Sequence, residues 1–398
     1  MKFCCEMISL KFIIAVSLVL GSIYILFGSF EMKSENKLRY GINVSHQETL
    51  GQEKVKAKGF THDERLPTII SRKRDTGESV PDDKSLFVPA AKDVSNEEAF
   101  KKEMLKYKDK IYHHCALKNA HKNEPAHDVN TPCNGSQRVP SIVHFVWLWD
   151  APETYKFRQL LGGLSVLRVV KPCAIYFWNA GFLPTGKYWD TFIGEAATSN
   201  TTTLYLLNVT TPLKFAGEKI RFEAHKSDIV RIYAIQYFGG IYMDFDIIAL
   251  NSFSPLLCDD MVLGRQGKKG AGLPNALMIA VPNATFIQLW ITKYRKNFKP
   301  TVWAYNSVSV PRAIYNQNES LVHVEETTIH VPHFRQLDTI FKKHYNWRHQ
   351  YAIHLWNNIP ASKRRNKYEN PTSIKTMNSA FGEIARWVYY GIEPKNWK

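Results

Sequence analysis

The stretch GGIYMDFDII, residues 239–248, restricts the fold of this chain more than any other segment. Two glycines lead into an apolar run that is interrupted only by Asp244 and Asp246. In an extended strand both carboxylates would point to the same face, and burying a carboxylate costs free energy unless it is paired. The segment therefore predicts a buried strand whose two acids face a ligand or a positively charged partner.

Strand-like and helix-like segments alternate through the middle of the chain. Residues 156–170 have helical spacing and end before Pro172, where a helix is expected to stop. Nearly continuous apolar runs predict strands at 141–147, 173–178, 203–209 and 241–250. This alternation predicts an α/β fold with a mostly parallel twisted sheet and helices on both faces.

The residues directly before the acidic strand predict a helix that carries a second charged pair. Apolar residues between 229 and 235 recur at helical spacing, and Gly239 and Gly240 end the helix. Asp228 and Arg231 are three residues apart, so they lie side by side on one helix face. The helix thus brings an acid and a base close to the strand with the two aspartates.

Asp244 and Asp246 are candidate ligands for Mn²⁺ or Mg²⁺. Open parallel sheets bind ligands beyond the carboxyl ends of their strands. Hard cations prefer carboxylate oxygens and substrate phosphates, and such a cation would neutralise a departing diphosphate. The structural alternative is that Asp244 begins a turn and Asp246 pairs with a nearby arginine. The two aspartates alone do not separate these interpretations, because pairs of acids are common.

The longer segment HKSDIVRIYAIQYFGGIYMDFDIIAL, residues 225–250, closely resembles a known signature. It matches the pattern His-x-Ser-Asp-x-x-Arg…Gly-Gly-x-Tyr-x-Asp-x-Asp of the DXD-type glycosyltransferases of family 32. That family includes α-1,4-galactosyl- and α-1,4-N-acetylglucosaminyltransferases and fungal Golgi mannosyltransferases. The resemblance covers residues 139–360 and implies a GT-A fold, a divalent metal, and transfer of a sugar from a nucleotide sugar to a glycan or glycolipid.

The resemblance also implies roles for the charged residues. Asp246 would bind Mn²⁺ directly, and Asp244 would bind it through water or contact the donor ribose. Asp228 and Arg231 would grip the sugar, with the guanidinium stabilising charge near the breaking bond. Members of the family retain the anomeric configuration, so an α-linked product is expected. Because no side chain is identified as a nucleophile, we expect front-face displacement in which the departing phosphate takes the acceptor proton.

Three further segments resemble parts of the family's donor site. In IVHFVWLW, Val146 would contact the base or its ribose through the backbone, and Trp147 would stack on the base. In LPNALMIAVPN, Asn275 is the polar candidate near the sugar, and in YAIHLW, His354 would reach the diphosphate or the metal. The purely structural alternatives are that Trp147 is a core aromatic residue and that His354 is an ordinary buried histidine.

The sequence departs from the family pattern in two segments that shape the donor and acceptor sites. Leu148 and Trp149 follow the first strand where many relatives have a glycine, and only Pro311 remains of a common Gly-Pro segment. The donor is therefore open among UDP-galactose, UDP-N-acetylglucosamine, UDP-glucose and GDP-mannose, with a UDP-sugar favoured. A phosphatase with Asp244 as nucleophile and a lumenal binding module without catalysis are the rival interpretations. Neither has a supporting motif.

The N-terminal region predicts a membrane anchor. Residues 12–30 are uncharged and long enough to span a bilayer, with a cleaved signal peptide as the alternative. We expect a cytosolic tail at 1–11, a flexible stem at 31–95 and a lumenal catalytic domain at 96–398. These features predict a single-pass type II protein of the Golgi membrane.

Sequons and cysteines agree with a lumenal location. Four cysteines that follow the anchor are able to form two disulfides, whose pairing the sequence leaves open: Cys115, Cys133, Cys173 and Cys258. The formal charge of +16 is concentrated in clusters such as 362–367, which would either grip diphosphate or remain solvated. Nucleic acid is excluded as a partner, because the chain has no base-stacking motif. The six Asn-x-Ser/Thr sites are Asn43, Asn134, Asn200, Asn208, Asn283 and Asn318.

Overall fold

The computed structural model describes residues 68–70, 97–115, 137–267, 271–360, 362–363 and 369–394. The chain divides into two compact units, residues 1–64 and 65–398, and every described residue belongs to the second. The predicted tail at 1–11 and the predicted anchor at 12–30 lie outside the described residues. Among the residues that are described, no helix is both long and apolar enough to cross a membrane.

An eight-stranded sheet runs in the order β1-β4-β3-β2-β7-β10-β9-β11. Four of its seven neighbouring pairs are parallel, including the consecutive set β4-β3-β2-β7. Its strands are β1 Thr68–Ile70, β2 Ile142–Trp147, β3 Ala174–Asn179, β4 Thr203–Asn208, β7 Gly240–Met243, β9 Met261–Gly264, β10 Leu277–Ala280 and β11 His323–Glu325. Two separate pairs are β5 Lys214–Phe215 with β6 Glu218–Lys219, and β8 Ile247–Ala249 with β12 Ala352–His354.

Helices cover both faces of this sheet. They are α1 Glu97–Cys115, α2 Phe157–Ser165, α3 Lys187–Ala197, α4 Glu223–Phe238, α5 Thr285–Lys296, α6 Val310–Tyr315, α7 Leu337–Phe341, α8 Pro371–Ile374 and α9 Ala380–Tyr390. Alternate residues of β2 enter two apolar clusters, in which α2, α3 and α9 pack on one face and α1, α4 and α5 on the other. The predicted α/β class with a mostly parallel sheet is therefore confirmed.

The predicted strand at 241–250 is not one strand. β7 ends at Met243, residues 244–246 form a turn, and β8 then leaves the large sheet to pair with β12. The N–H of Ile247 donates to the carbonyl oxygen of Asp244 over 3.0 Å and closes the turn. The two carboxylates thus lie at the carboxyl end of a buried strand, where they do not have to enter the apolar sheet.

Gly239 and Gly240 make a corner between α4 and β7 that other residues do not fit. Their φ angles are +62° and +91°. A Cβ at residue 240 would lie 2.5 Å from the carbonyl oxygen of Ile142 on β2, and one at residue 239 would lie 2.7 Å from the backbone nitrogen of Pro282. Glycine is therefore required both by the left-handed conformation and by close packing.

Two predicted boundaries differ from the structure. The helix predicted at 156–170 is α2 followed by a π-helical turn, Val166–Val170. Strand β1 pairs antiparallel with β4 although Thr68–Ile70 falls within the predicted stem, so part of that segment belongs to the sheet. Both Cys173 and Cys258, two of the four cysteines predicted to form disulfides, are disulfide-bonded.

Candidate active site

The turn after β7 and the end of β12 bring together three side chains of the types that act as metal ligands. Ligand atoms of Asp244, Asp246 and His354 all lie within 4.8 Å of one another. The register of the β8–β12 pair places His354 opposite Ile247, directly beside the turn. The Nε2 atom of His354 is 3.3 Å from Oδ1 of Asp246. The predicted metal site therefore has two carboxylates and gains a histidine from more than one hundred residues further along the chain.

The loop after β12 holds Asp246 in place. The backbone N–H of Asn357 donates to Oδ2 of Asp246 over 2.7 Å. The N–H of Leu355 donates to the backbone oxygen of the same aspartate over 2.8 Å. One carboxylate oxygen of Asp246 is thus anchored by the loop, while the other faces His354.

The electrostatic environment differs between the two aspartates. Burial raises the pKa of the Asp244 carboxyl; the Arg231 guanidinium opposes this rise and the negative charge of Asp246 adds to it, so the pKa stays above its ordinary value. Burial also acts to raise the pKa of Asp246, but attraction and hydrogen bonding by His354, together with the N–H of Asn357, outweigh it and lower that pKa. A cation between the two carboxylates would relieve their mutual repulsion.

Arg231 lies at the centre of a buried polar network beneath the turn. Its Nη1 atom is 3.0 Å from Oδ1 of Asp244 and 3.2 Å from Oδ1 of Asn275. Its Nη2 atom donates to the hydroxyl of Ser227 over 2.6 Å. The Nδ2 amide of Asn275 donates in turn to Oδ1 of Asp228 over 2.9 Å. Asn275, predicted from a separate segment, is therefore directly connected to Asp228 and Arg231 of the 225–250 segment and, through Arg231, to Asp244.

Tyr242 completes this network, although its type alone did not identify it as a site residue. Its hydroxyl donates to Oδ1 of Asp244 over 2.5 Å, and the Arg231 guanidinium carbon lies 4.4 Å from its ring centroid. Burial raises the pKa of Tyr242 well above its usual range, so the hydroxyl remains a donor. The signal that was available is the tyrosine of the Gly-Gly-x-Tyr-x-Asp-x-Asp pattern itself.

Val146 and Trp147 are buried at the end of β2. The Trp147 side chain is 3% exposed and packs edge-on against Phe245, the residue between the two aspartates, at a centroid distance of 5.5 Å. Its indole N–H has no hydrogen-bond partner within the part of the chain that the structure describes. Trp147 thus supports the turn from the core, and its predicted stacking on a base stays a prediction, as does the contact from Val146. Trp149, two residues beyond Trp147, is exposed.

Two aromatic residues that the sequence analysis did not single out, Trp356 and His330, lie against His354. The ring of Trp356 stacks on His354 with centroids 3.8 Å apart, and the His330 ring lies 5.4 Å away. Burial lowers the pKa of His330 well below its ordinary value, so this ring is neutral. Trp356 is the last residue of the segment YAIHLW, whereas His330 belongs to no motif in the sequence. Only the folded chain shows that both rings pack against His354.

Comparison with known proteins agrees with this geometry. Residues 174–263, which include the DxD turn, match the family model described as "Glycosyltransferase sugar-binding region containing DXD motif". The protein "Glucan organizing enzyme 1" of Cryptococcus neoformans var. grubii is 32% identical over 269 residues, which span 62% of this chain and 70% of that protein.

Solved structures of glycosyltransferases are also similar, at low scores. The PaToxG glycosyltransferase is 14% identical, with 72% of this chain and 95% of that chain covered and a TM-score of 0.32. The galactosyltransferase LgtC, in complex with donor and acceptor sugar analogs, is 10% identical, with 60% and 100% covered and a TM-score of 0.34. From the identity and coverage of the Cryptococcus relative and the matched DXD region, the chain belongs to the DXD-motif glycosyltransferases of family 32.

Proposed function

We propose that this glycosyltransferase moves a hexose or N-acetylhexosamine from a nucleoside diphosphate sugar to a glycan or glycolipid, with retention of the α configuration. The observation that carries the proposal is the convergence of Asp244, Asp246 and His354, whose ligand atoms lie within 4.8 Å. The Asp228–Asn275–Arg231 network adjoins this group directly through Asp244. A diphosphate and the sugar attached to it would therefore have neighbouring, separately built subsites.

The residues present fit a divalent cation of the Mn²⁺ or Mg²⁺ type. Two carboxylates and one imidazole supply oxygen and nitrogen ligands, and Asp246 is already oriented by Asn357 and Leu355. Asp246 and His354 would hold the cation directly, and Asp244 would hold it directly or through water. When bound, the cation supplies positive charge that neutralises the diphosphate leaving group.

The remaining residues of the site would bind and orient the sugar. Asp228, with one oxygen committed to Asn275, would accept a hydrogen bond from a sugar hydroxyl. Arg231 would keep Asp244 and Asn275 in place and contribute positive charge beneath the transferred group. In the reaction, the bond between the anomeric carbon and the phosphate oxygen breaks while the acceptor oxygen bonds to the same face. The acceptor proton passes to the departing phosphate oxygen, which leaves a nucleoside diphosphate.

The donor proposed is a UDP-sugar rather than GDP-mannose. The family that this chain resembles includes enzymes that use UDP-sugars and enzymes that use GDP-mannose, so both kinds of donor are tested directly. Because the Cryptococcus relative is named for glucan, glucans are included among the acceptors to be tested beside glycolipids, N-glycans and O-glycans.

The location proposed is the Golgi membrane, with a signal-anchor at residues 12–30 and the catalytic unit in the lumen. The uncharged run, the disulfide-bonded Cys173 and Cys258 and the exposed sequon residues Asn200 and Asn283 support it. In intact microsomes, added protease should spare all but a short N-terminal segment, and endoglycosidase should lower the apparent mass. A catalytic unit that protease digests in sealed vesicles would contradict this topology.

The test of the function uses the full-length chain and a panel of UDP- and GDP-sugars with pooled acceptors. We expect nucleotide release from one donor in the presence of Mn²⁺, loss of release with chelator, and an α-linkage in the isolated product by NMR. Asp246→Ala should abolish release, whereas the matched change Asp190→Ala, at an exposed acid on α3, should leave it intact.

The opposite outcome would favour a binding module that retains the fold without catalysis. In that outcome, a folded chain releases no nucleotide from any donor but binds a nucleotide or glycan saturably. Release that persists in Asp246→Ala would instead contradict the proposed metal site while leaving the enzyme class intact.

A further inference from the structure

Arg158 on α2 is a completely buried cation whose hydrogen-bonding groups are occupied by the C-terminal part of the chain. Its side chain is fully inaccessible to solvent. Nη2 donates to Oε1 of Glu369 over 2.6 Å, and Nε donates to the other oxygen of the same carboxylate. Glu369 is itself buried, so the two form a bidentate ion pair away from water.

The same guanidinium also reaches the loop that follows β12. Its Nη1 donates to Oδ1 of Asn357 over 2.7 Å and to the hydroxyl of Ser362 over 2.6 Å. The Ser362 hydroxyl donates onward to the carbonyl oxygen of Leu355. Arg158 therefore ties Asn357 and Ser362, and with them the loop after β12, to α2.

This loop is the one that anchors Asp246. The backbone N–H of Asn357 donates to the Asp246 carboxylate, and the N–H of Leu355 donates to its backbone oxygen. A single residue, Asn357, thus accepts from Arg158 through its side chain and donates to Asp246 through its main chain. The positive charge of Arg158 also helps to lower the pKa of Asp246.

Helix α2 is also in close contact with the DxD turn itself. The Cβ position at Gly162 would lie 2.8 Å from the carbonyl oxygen of Phe245, and the hydroxyl of Ser165 accepts the N–H of Ala249 over 2.9 Å. The helix therefore contacts the turn directly and, through Arg158, also contacts the loop that anchors Asp246.

We propose that Arg158 and Glu369 form a positioning pair that holds Asp246 and the His354 loop in their cation-binding arrangement. Arg158 does not touch the ligand group itself, since Asn357 lies between it and Asp246. The inference rests on the proposed function of Asp246 as a metal ligand. It assigns a role to Arg158, a buried charged residue that lies outside the DXD motif and the residues next to it in sequence.

The test replaces both charges at once, as Arg158→Met with Glu369→Met in the full-length chain. Exchange of both partners of a buried ion pair for apolar residues is often tolerated by the fold, whereas removal of one partner leaves an unpaired charge. We expect the affinity for Mn²⁺ alone, measured by titration calorimetry, to fall by about 10–100-fold, as for other residues that orient metal ligands. The Mn²⁺ concentration needed for half-maximal activity should rise by a similar factor, more than kcat at saturating Mn²⁺ falls.

Three further variants separate positioning by Arg158 from general packing. Arg168→Met with Glu195→Met removes another ion pair, whose arginine lies in the π-helical turn after α2. Arg168 donates to the carbonyl oxygen of Val388 and not to the loop after β12. It should leave the Mn²⁺ affinity unchanged. Asn357→Ala keeps the N–H that donates to Asp246 but deletes the acceptor for Arg158, and it should weaken Mn²⁺ binding even if the double variant does not fold. Arg158→Lys should also weaken Mn²⁺ binding, because an ammonium group cannot reproduce the bidentate hydrogen bonds of the guanidinium.

The outcomes distinguish this inference from the proposed function. Wild-type chain that binds no Mn²⁺ would overturn the metal site and the positioning role together. Wild-type chain that binds Mn²⁺, with equal affinity in a folded Arg158→Met/Glu369→Met variant or in Asn357→Ala, would overturn the positioning role alone. Equal weakening by the Arg168/Glu195 control would also overturn it, because the effect would then reflect general loosening.

Discussion

The Nε2 atom of His144, on β2, hydrogen bonds to the carbonyl oxygen of Gly239 over 2.8 Å. The indole N–H of Trp178 donates to the other ring nitrogen, Nδ1, over 3.1 Å, so the proton of the neutral imidazole lies on Nε2. A fully buried histidine thus ties the central strand to the glycine corner from which the strand with the DxD turn begins.

This arrangement predicts that acid destabilises the protein through His144. Burial lowers the pKa of His144 to about 4, below the ordinary value of about 6.5 in the unfolded chain. The unfolded state therefore binds more protons between these values, and stability falls as the pH drops from about 6.5 toward 4, by about 3 kcal/mol at about 1.4 kcal/mol per pKa unit.

The measurement is the free energy of unfolding in denaturant between pH 4 and 7.5. The His144→Gln variant should be less stable than wild type at pH 7, because it loses a buried hydrogen bond worth about 1 kcal/mol. Its stability should nevertheless depend less on pH. An equal pH dependence in wild type and variant would assign the acid sensitivity to other groups.

Gly162→Ala should damage the site through the main chain of the DxD turn. The added Cβ would meet the carbonyl oxygens of Phe245 and Ile247 at 2.8 and 2.9 Å, so the turn or α2 has to shift. We expect a loss of about 1–3 kcal/mol in stability together with weaker Mn²⁺ binding. Gly194→Ala on α3 is the control: it has no atom within 4 Å of the new methyl group and should stabilise the helix by about 0.5–1 kcal/mol. If Gly162→Ala binds Mn²⁺ like wild type, α2 does not restrict the turn.

Arg231→Lys should lower activity although the positive charge is kept. The planar fork now serves Asp244, Asn275 and Ser227 at once, which a single ammonium cannot do. We expect kcat/KM for the donor to fall on the order of 10–100-fold, with the fold retained by circular dichroism. Arg295→Lys, at a half-exposed position on α5, should behave like wild type. Equal kinetics in the two variants would show that Arg231 acts only as a charge.

His354→Gln tests whether the histidine belongs to the metal site. Its Nε2 atom is 3.3 Å from Asp246, and loss of a ligand nitrogen should reduce the affinity for Mn²⁺. We expect a fall of at least about 10-fold by calorimetry, with no change in His349→Gln, whose side chain is exposed. Unchanged Mn²⁺ affinity in the first variant would return His354 to the role of an ordinary buried histidine.

The amino-acid sequence by itself determined the α/β class, the helix with Asp228 and Arg231, and the DxD pair. These features follow from local rules: apolar period, helix spacing and the conformational freedom of two adjacent glycines. The same locality explains the error at 241–250: Asp244 and Asp246 fit the two-residue alternation of a strand, and no glycine or proline marks the turn that ends β7.

Only the tertiary structure decided which distant residues complete the site. His354 reaches Asp246 because β12 pairs with β8 in one particular register, and Arg158 reaches Asn357 and Glu369 because α2 packs against the C-terminal segment. Nothing periodic in the sequence marks these partners. Their meeting depends on strand register and helix packing, which the whole chain determines through burial of its apolar faces.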